Sequence, residues 1–216
     1  MKILIDNGHG VNTKGKCSPD GTFREYAWAR EIAQRIEKSL KAKGYDAERI
    51  VPEETDISLT ERCRRVNAFC NQIGTKNVIL VSIHANAAGA DGEWKKAGGW
   101  SVYTSPGKTD ADKLAAALWD AANISLKPYI VRFSSLKAQG AYDSRQVPLR
   151  ADWSDGDADY EERFTVLTGT KCPAVLTENL FQDNKEDVAY LLSEAGKQAI
   201  VDCHVNGIIN YINSKK

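Results

Sequence analysis

The chain has 216 residues, 42% hydrophobic and 27% charged, the balance of a folded domain rather than a disordered one. Lys+Arg and Asp+Glu both number 29, so the formal net charge is zero. That removes the basic excess that nucleic acid or an anionic membrane surface usually demands.

Met1 and Lys2 lead straight into Ile3-Leu4-Ile5, so no secretory leader is legible. Lys2–Asp6 reads as a buried strand stopped by Asn7-Gly8. Glu25 to Leu40 has apolar residues at helical spacing, with Gly44 placed as its C-terminal stop. Tyr45–Ile50 is a second, more charged strand. Ser58 and Glu61 have the spacing of a capping box for a helix running to Ile73. Asn77–Ile83 is nearly continuous in apolar residues, as a central strand buried on both faces should be. Gly99–Thr104 reads as a strand and Asp110–Ser125 as a helix. Residues 127–163 are polar and irregular, and read as a long loop or insertion over the active-site side. Thr165–Leu167 and Pro173–Thr177 read as the last strands, and Lys185–Ile212 as a long helix broken near Gly196. No apolar run reaches the roughly 20 residues that span a bilayer. The alternation predicts an α/β single domain over residues 1–216, with a mixed, mostly parallel central sheet and helices on both faces.

Ligands of open α/β sheets bind beyond the carboxyl ends of the strands. The first strand ends in Asp6-Asn7-Gly8-His9-Gly10, the central one in Ser82-Ile83-His84-Ala85-Asn86 and the last in Leu176-Thr177-Glu178-Asn179. Two of three histidines therefore stand at strand ends, and Glu25 opens the first helix. Two imidazoles and a carboxylate form a ligand set expected of catalytic zinc, which needs a further carboxylate as proton carrier. Glu178 is placed for that role. The plainer readings stay open at this point: hydrogen-bonded structural histidines, a solvated first-turn charge at Glu25, and an ion pair at Glu178. His204 lies within the last helix and reads as a structural or surface residue. The five scattered cysteines, without a Cys-x-x-Cys pair, fit neither a disulfide framework nor a cysteine zinc finger, and Cys63 and Cys70 read as buried thiols. The acidic run Asp152–Asp159 fails the spacing of an EF-hand loop. Trp153 and Tyr160 are candidates to stack on sugar or peptide.

These residues resemble the zinc-dependent N-acetylmuramoyl-L-alanine amidases of the amidase 3 type. The family's opening Asp-x-Gly-His-Gly is similar to Asp6–Gly10, and its Glu ahead of a helix to Arg24-Glu25-Tyr26. Its Leu-x-x-Arg-x-x-x-Asn resembles Leu59–Asn67, with Asn67 one residue late. Ser-Ile-His-Ala-Asn is whole at Ser82–Asn86, and Pro-Ala-Val-Leu-x-Glu at Pro173–Glu178, followed by Phe181 and Asn184. The chain departs from the pattern where Asn7 replaces Pro, Val11 replaces a second Gly, and Leu180 stands where Gly is usual.

The resemblance implies one zinc ion held by His9, Glu25 and His84, with Glu178 as catalytic acid/base; Asn86 and Trp153 are expected as substrate contacts, Trp153 on its aromatic character alone, because its segment matches no family motif. It implies a peptidoglycan hydrolase that cleaves the amide between N-acetylmuramic acid and L-Ala through zinc-activated water. The expected partner is peptidoglycan, with no nucleic acid and no membrane insertion. The protein is expected to be a monomer acting on the cell wall, periplasmic or extracellular, as an autolysin or phage-type lysis enzyme. Two other readings compete: a non-catalytic peptidoglycan-binding or regulatory module on the same fold, and a zinc amidohydrolase or peptidase with a non-wall substrate.

Overall fold

Side chains alternate across a strand, and here both sets are apolar. Ile3, Ile5, Ile79, Val81 and Ile83 face one core, whereas Leu4, Val78 and Leu80 face a second. A sheet with two apolar faces must be covered on both. The computed structural model describes residues 1–215, and the covering is what it shows.

The strands are β1 (Lys2–Asn7), β2 (Asp46–Arg49), β3 (Val78–Asn86), β4 (Ser101–Thr104), β5 (Tyr160–Glu161) and β6 (Ala174–Phe181). They form one six-stranded sheet in the order β2-β1-β3-β6-β4-β5. Only the β4–β6 pairing is antiparallel, so the sheet is mixed and mostly parallel, as the alternation predicts. The helices are α1 (Glu25–Ala42), α2 (Leu59–Ile73), α3 (Asp110–Ser125), α4 (Lys127–Ala138), α5 (Thr165–Thr168), α6 (Lys185–Leu192) and α7 (Glu194–Ser214). Buried residues of α1, α3 and α7 pack on the first face, and those of α2 and α5 on the second. Among the described residues no helix is long and apolar enough to cross a membrane.

Gly44, at φ +83, closes α1 as its position predicts, with the Tyr45 amide donating to the Leu40 carbonyl. Ser58 caps α2 by accepting from the Glu61 amide, but the Glu61 carboxylate turns away to Arg64 and Arg65. The two-sided box forms instead at α3, between Thr109 and Asp112.

Two expectations need correction, and a third is refined. Residues 127–163 are not one long loop, since α4 occupies 127–138. Pro128 starts it with no loss of a needed donor, and Tyr129 and Phe133 bury one face four residues apart. Their rings meet Tyr190 and Tyr142. Thr165–Leu167 lies in a single helical turn rather than a strand. The Gly169 amide returns to the Thr165 carbonyl, and a run of three residues was too short for periodicity to decide. The break in the last helical stretch falls at Ser193, whose Oγ accepts from the Gly196 amide and so restarts the helix. The short edge strand β5 was not foreseen.

Candidate active site

Three parallel strands deliver the chemistry to one end of the sheet. In register, His84 lies beside Glu178, and Asn7 beside Ile83. The next residue of β1's continuation, Gly8, therefore lies beside His84. A Cβ on Gly8 would stand 2.4 Å from His84 Cε1, and one on Gly10 would stand 2.0 Å from the Asp56 amide nitrogen. Both glycines are needed because the His84 ring and the Asp56 backbone occupy that space. His9 between them is left-handed, at φ 60, a conformation more open to His than to most residues. This backbone turns its imidazole towards α1.

Glu25 is the first residue of α1 and is 1% exposed. Its Oε1 lies 3.0 Å from His84 Nδ1 and accepts from the Ala85 amide. Its Oε2 lies 3.4 Å from His9 Nε2 and has no hydrogen-bond partner. The two imidazoles meet edge to face at 5.1 Å between centroids. One ligand atom from each of His9, Glu25 and His84 falls within 4.8 Å of the others. Such a spacing suits donors that share one small cation, because bonds of about 2.1 Å at tetrahedral angles separate ligands by three to four ångströms. The buried, unpartnered Oε2 points the same way: a carboxylate oxygen left without a partner costs about 1–3 kcal/mol or more.

Burial pushes the His9 imidazolium down to a pKa of about 4, so this ring is neutral and free to donate a lone pair. Burial alone would also lower His84, but the Glu25 carboxylate more than offsets it and raises the value. Burial would raise Glu25, and the neighbouring imidazoles outweigh that and hold it down.

Glu178 stands on β6 beside His84. Burial raises its pKa to about 7, against the pull of the His84 charge, and its Oε2 has no partner. A carboxyl that titrates near neutrality can both take and give a proton.

The structure also supplies a frame that the strand-end reasoning missed. Arg62 of α2 is 2% exposed. Its guanidinium donates to Asp6, to the carbonyls of Asn7 and Ile57, and to Asp56. Asp6 also receives the Ser82 hydroxyl. The Leu-x-x-Arg pattern was visible, but its partners could be named only once α2 was placed. On the other side, Asn179 receives Trp100 Nε1 and donates to the His84 carbonyl. A cleft of about 440 Å³ opens beside the cluster, lined by Asp6, His9, Asp56, Leu59, Arg62 and His84 among others. A larger groove, about 770 Å³, lies at the opposite end of the sheet around Asn77 and Pro173, away from these groups.

Not every candidate converges here. Asn86 uses its side chain on the Ala87 amide. Trp153 is 62% exposed and meets Trp119 of α3 edge-on, on the far side of the sheet from Glu178. His204 is fully buried; its Nδ1 bonds the Ile200 carbonyl and its Nε2 the Thr177 hydroxyl. It is a structural residue.

The sequence matches the N-acetylmuramoyl-L-alanine amidase family over residues 3–210. The chain belongs to that family. It is 28% identical to an endolysin of Bacillus phage SPP1, covering 99% of this chain and 67% of the endolysin. It is 26% identical to the N-acetylmuramoyl-L-alanine amidase CwlM of Bacillus licheniformis, covering 100% and 70% respectively. Among solved structures, an N-acetylmuramoyl-L-alanine amidase from Clostridium difficile 630 superposes with a TM-score of 0.73 at 25% identity, covering 100% of this chain and 98% of the other. The catalytic domain of CwlV from Bacillus (Paenibacillus) polymyxa shares the fold, with a TM-score of 0.68 at 22% identity and 99% of each chain covered. Of the quoted motifs, the residues His9, Glu25, His84 and Glu178 come together at one end of the sheet, whereas Asn67 and Pro173 lie towards the other.

Proposed function

We propose that the chain is a single catalytic domain that hydrolyses the amide between the lactyl group of N-acetylmuramic acid and L-Ala of the peptidoglycan stem. His9, Glu25 and His84 would hold one zinc ion. Bound there, zinc supplies Lewis-acid polarisation of the carbonyl and brings the pKa of water near 7. The observation that carries the reading is the buried His–Glu–His cluster with an unpartnered Glu25 Oε2, next to a carboxyl that titrates near neutrality.

The side chains divide the work. The Ala85 amide and the helix start at Glu25 orient the carboxylate, and the Asn179 amide fixes the His84 backbone. Glu178 carries the proton, taking it from the attacking water and giving it to the departing amine of L-Ala. Arg62 holds β1 and its continuation, so that His9 keeps its left-handed backbone. The substrate places the protein's action at the cell wall, and the phage endolysin relative supports a lysis role. A merely wall-binding module would have no use for Glu178 with a free, buried oxygen.

The test is mass spectrometry of purified peptidoglycan digested with and without a metal chelator. Stem peptides with a free L-Ala amine should appear, glycan strands should stay whole, and chelation should stop the release. Cleavage elsewhere in the wall, or chelator-resistant release, would overturn the reading.

A further inference from the structure

The level of the sheet that holds His84 and Glu178 continues sideways. Glu178 pairs with Ser101 of β4. Trp100 bridges Leu149 in parallel fashion, with the Arg150 amide donating to the Trp100 carbonyl, so Arg150 comes alongside Ser101. His84, Glu178, Ser101 and Arg150 therefore form one row across four neighbouring segments of the sheet. At about 4.8 Å per strand, the backbone of Arg150 lies about 10 Å from that of Glu178.

Arg150 is half-buried, yet among the described residues its guanidinium has no ion pair and no hydrogen bond. It leans across β4 instead. Its Cζ lies 5.2 Å from the ring centre of Phe181 on β6 and 5.7 Å from that of Tyr160. Two rings thus fix the plane of the guanidinium without using its N–H donors. Gly99 makes the approach possible. At φ +108, with Arg150 Cγ 3.0 Å and the Val147 carbonyl oxygen 2.2 Å from where a Cβ would stand, no other residue fits. Two further groups in the row are also unpartnered: Ser101 Oγ and Glu178 Oε2, both buried. The charge of Arg150 is felt by Glu178, but its N–H donors are unused, and a preorganised guanidinium with free donors suits a ligand carboxylate.

We propose that Arg150 is a specificity-determining residue that receives a carboxylate of the stem peptide, carried on the residue that follows L-Ala. The proposal rests on the amidase reading above. With the scissile amide at His84 and Glu178, the peptide runs along the row towards β4. One residue of extended chain covers about 3.5 Å, and the guanidinium leaning back to Phe181 closes the remaining distance. A residue joined through its side chain leaves its α-carboxylate free to pair with the five donors of the fork. Amidation of that carboxylate removes the charge and one acceptor.

The experiment compares two soluble muropeptides, N-acetylmuramoyl-L-Ala-D-isoglutamate and its isoglutamine counterpart, with the zinc-loaded full chain. The wild type should favour the free carboxylate through KM. Arg150→Gln should lose about ten- to a hundred-fold in kcat/KM on the carboxylate substrate, through KM, and change little on the amide. Arg150→Lys, which keeps charge without the fork, should fall between. Equal wild-type use of both substrates overturns the proposal without any variant. So does an Arg150→Gln variant that lowers kcat alike on both, the mark of a structural role. Cleavage of neither muropeptide, and none of intact wall, would instead refute the amidase reading.

Discussion

Leu180 offers a test of the local physics around the Glu178 carboxyl. Three residues of β3, from His84 to Asn86, face four of β6, from Glu178 to Phe181. The extra residue is taken up in a bulge, and Leu180 sits in it at φ 64. A left-handed L-residue is strained by about 1–2 kcal/mol. The strain is tolerated because the Leu180 side chain is fully buried in the main core. Leu180→Ala removes that side chain and keeps the strain, for a loss of about 3–4 kcal/mol. Leu180→Gly loses the same packing and about 0.5–1 kcal/mol more in chain entropy, but relieves the strain. Glycine should therefore be the more stable of the two by about 0.5–1 kcal/mol, reversing the usual order. Urea unfolding of both variants, followed by the fluorescence of the buried Trp28 and Trp100, measures the difference. An alanine variant more stable than the glycine variant by the usual margin would refute the strain argument.

Other consequences are as direct. Arg62→Met leaves the buried Asp6 carboxylate with little beyond the Ser82 hydroxyl and should cost about 3–5 kcal/mol; a loss below about 1 kcal/mol in urea titration would contradict the clamp. Asp159 is raised to about 7 by burial and by the nearby Asp157 carboxylate. Its folded pKa exceeds its unfolded one, so its favourable contribution is complete below about pH 4 and is lost as pH rises through 7. Asp159→Asn should gain melting temperature over the wild type between pH 5 and 9; parallel Tm–pH curves would count against this. His84→Ala should abolish stoichiometric zinc binding, checked by metal analysis after gel filtration, and retained zinc would remove His84 from the ligand set.

Legibility followed the physics. Strands with two apolar faces, such as Val78–Ile83, announce a parallel sheet, and a parallel sheet fixes which ends carry polar function. His9, His84 and Glu178 were readable for that reason, and Glu25 because it opens a helix. The Leu180 departure from the family's usual Gly was visible as a letter, but its meaning needed the backbone angle. α4 was hidden because only Tyr129 and Phe133 mark its buried face within a polar segment. Arg150 lies in the same irregular stretch, and nothing in its neighbours betrays that it returns to the Glu178 level of the sheet. Trp153 lies against Trp119 of α3, and aromatic character alone does not say which face a loop will meet.

The most direct test of the account is Glu178→Gln, assayed for bound zinc and for release of L-Ala amines from peptidoglycan. The account predicts one zinc per chain, as in the wild type, with turnover reduced by about 10²–10⁴-fold. Near-normal turnover with zinc retained would contradict it, because the proton would then be carried by another group.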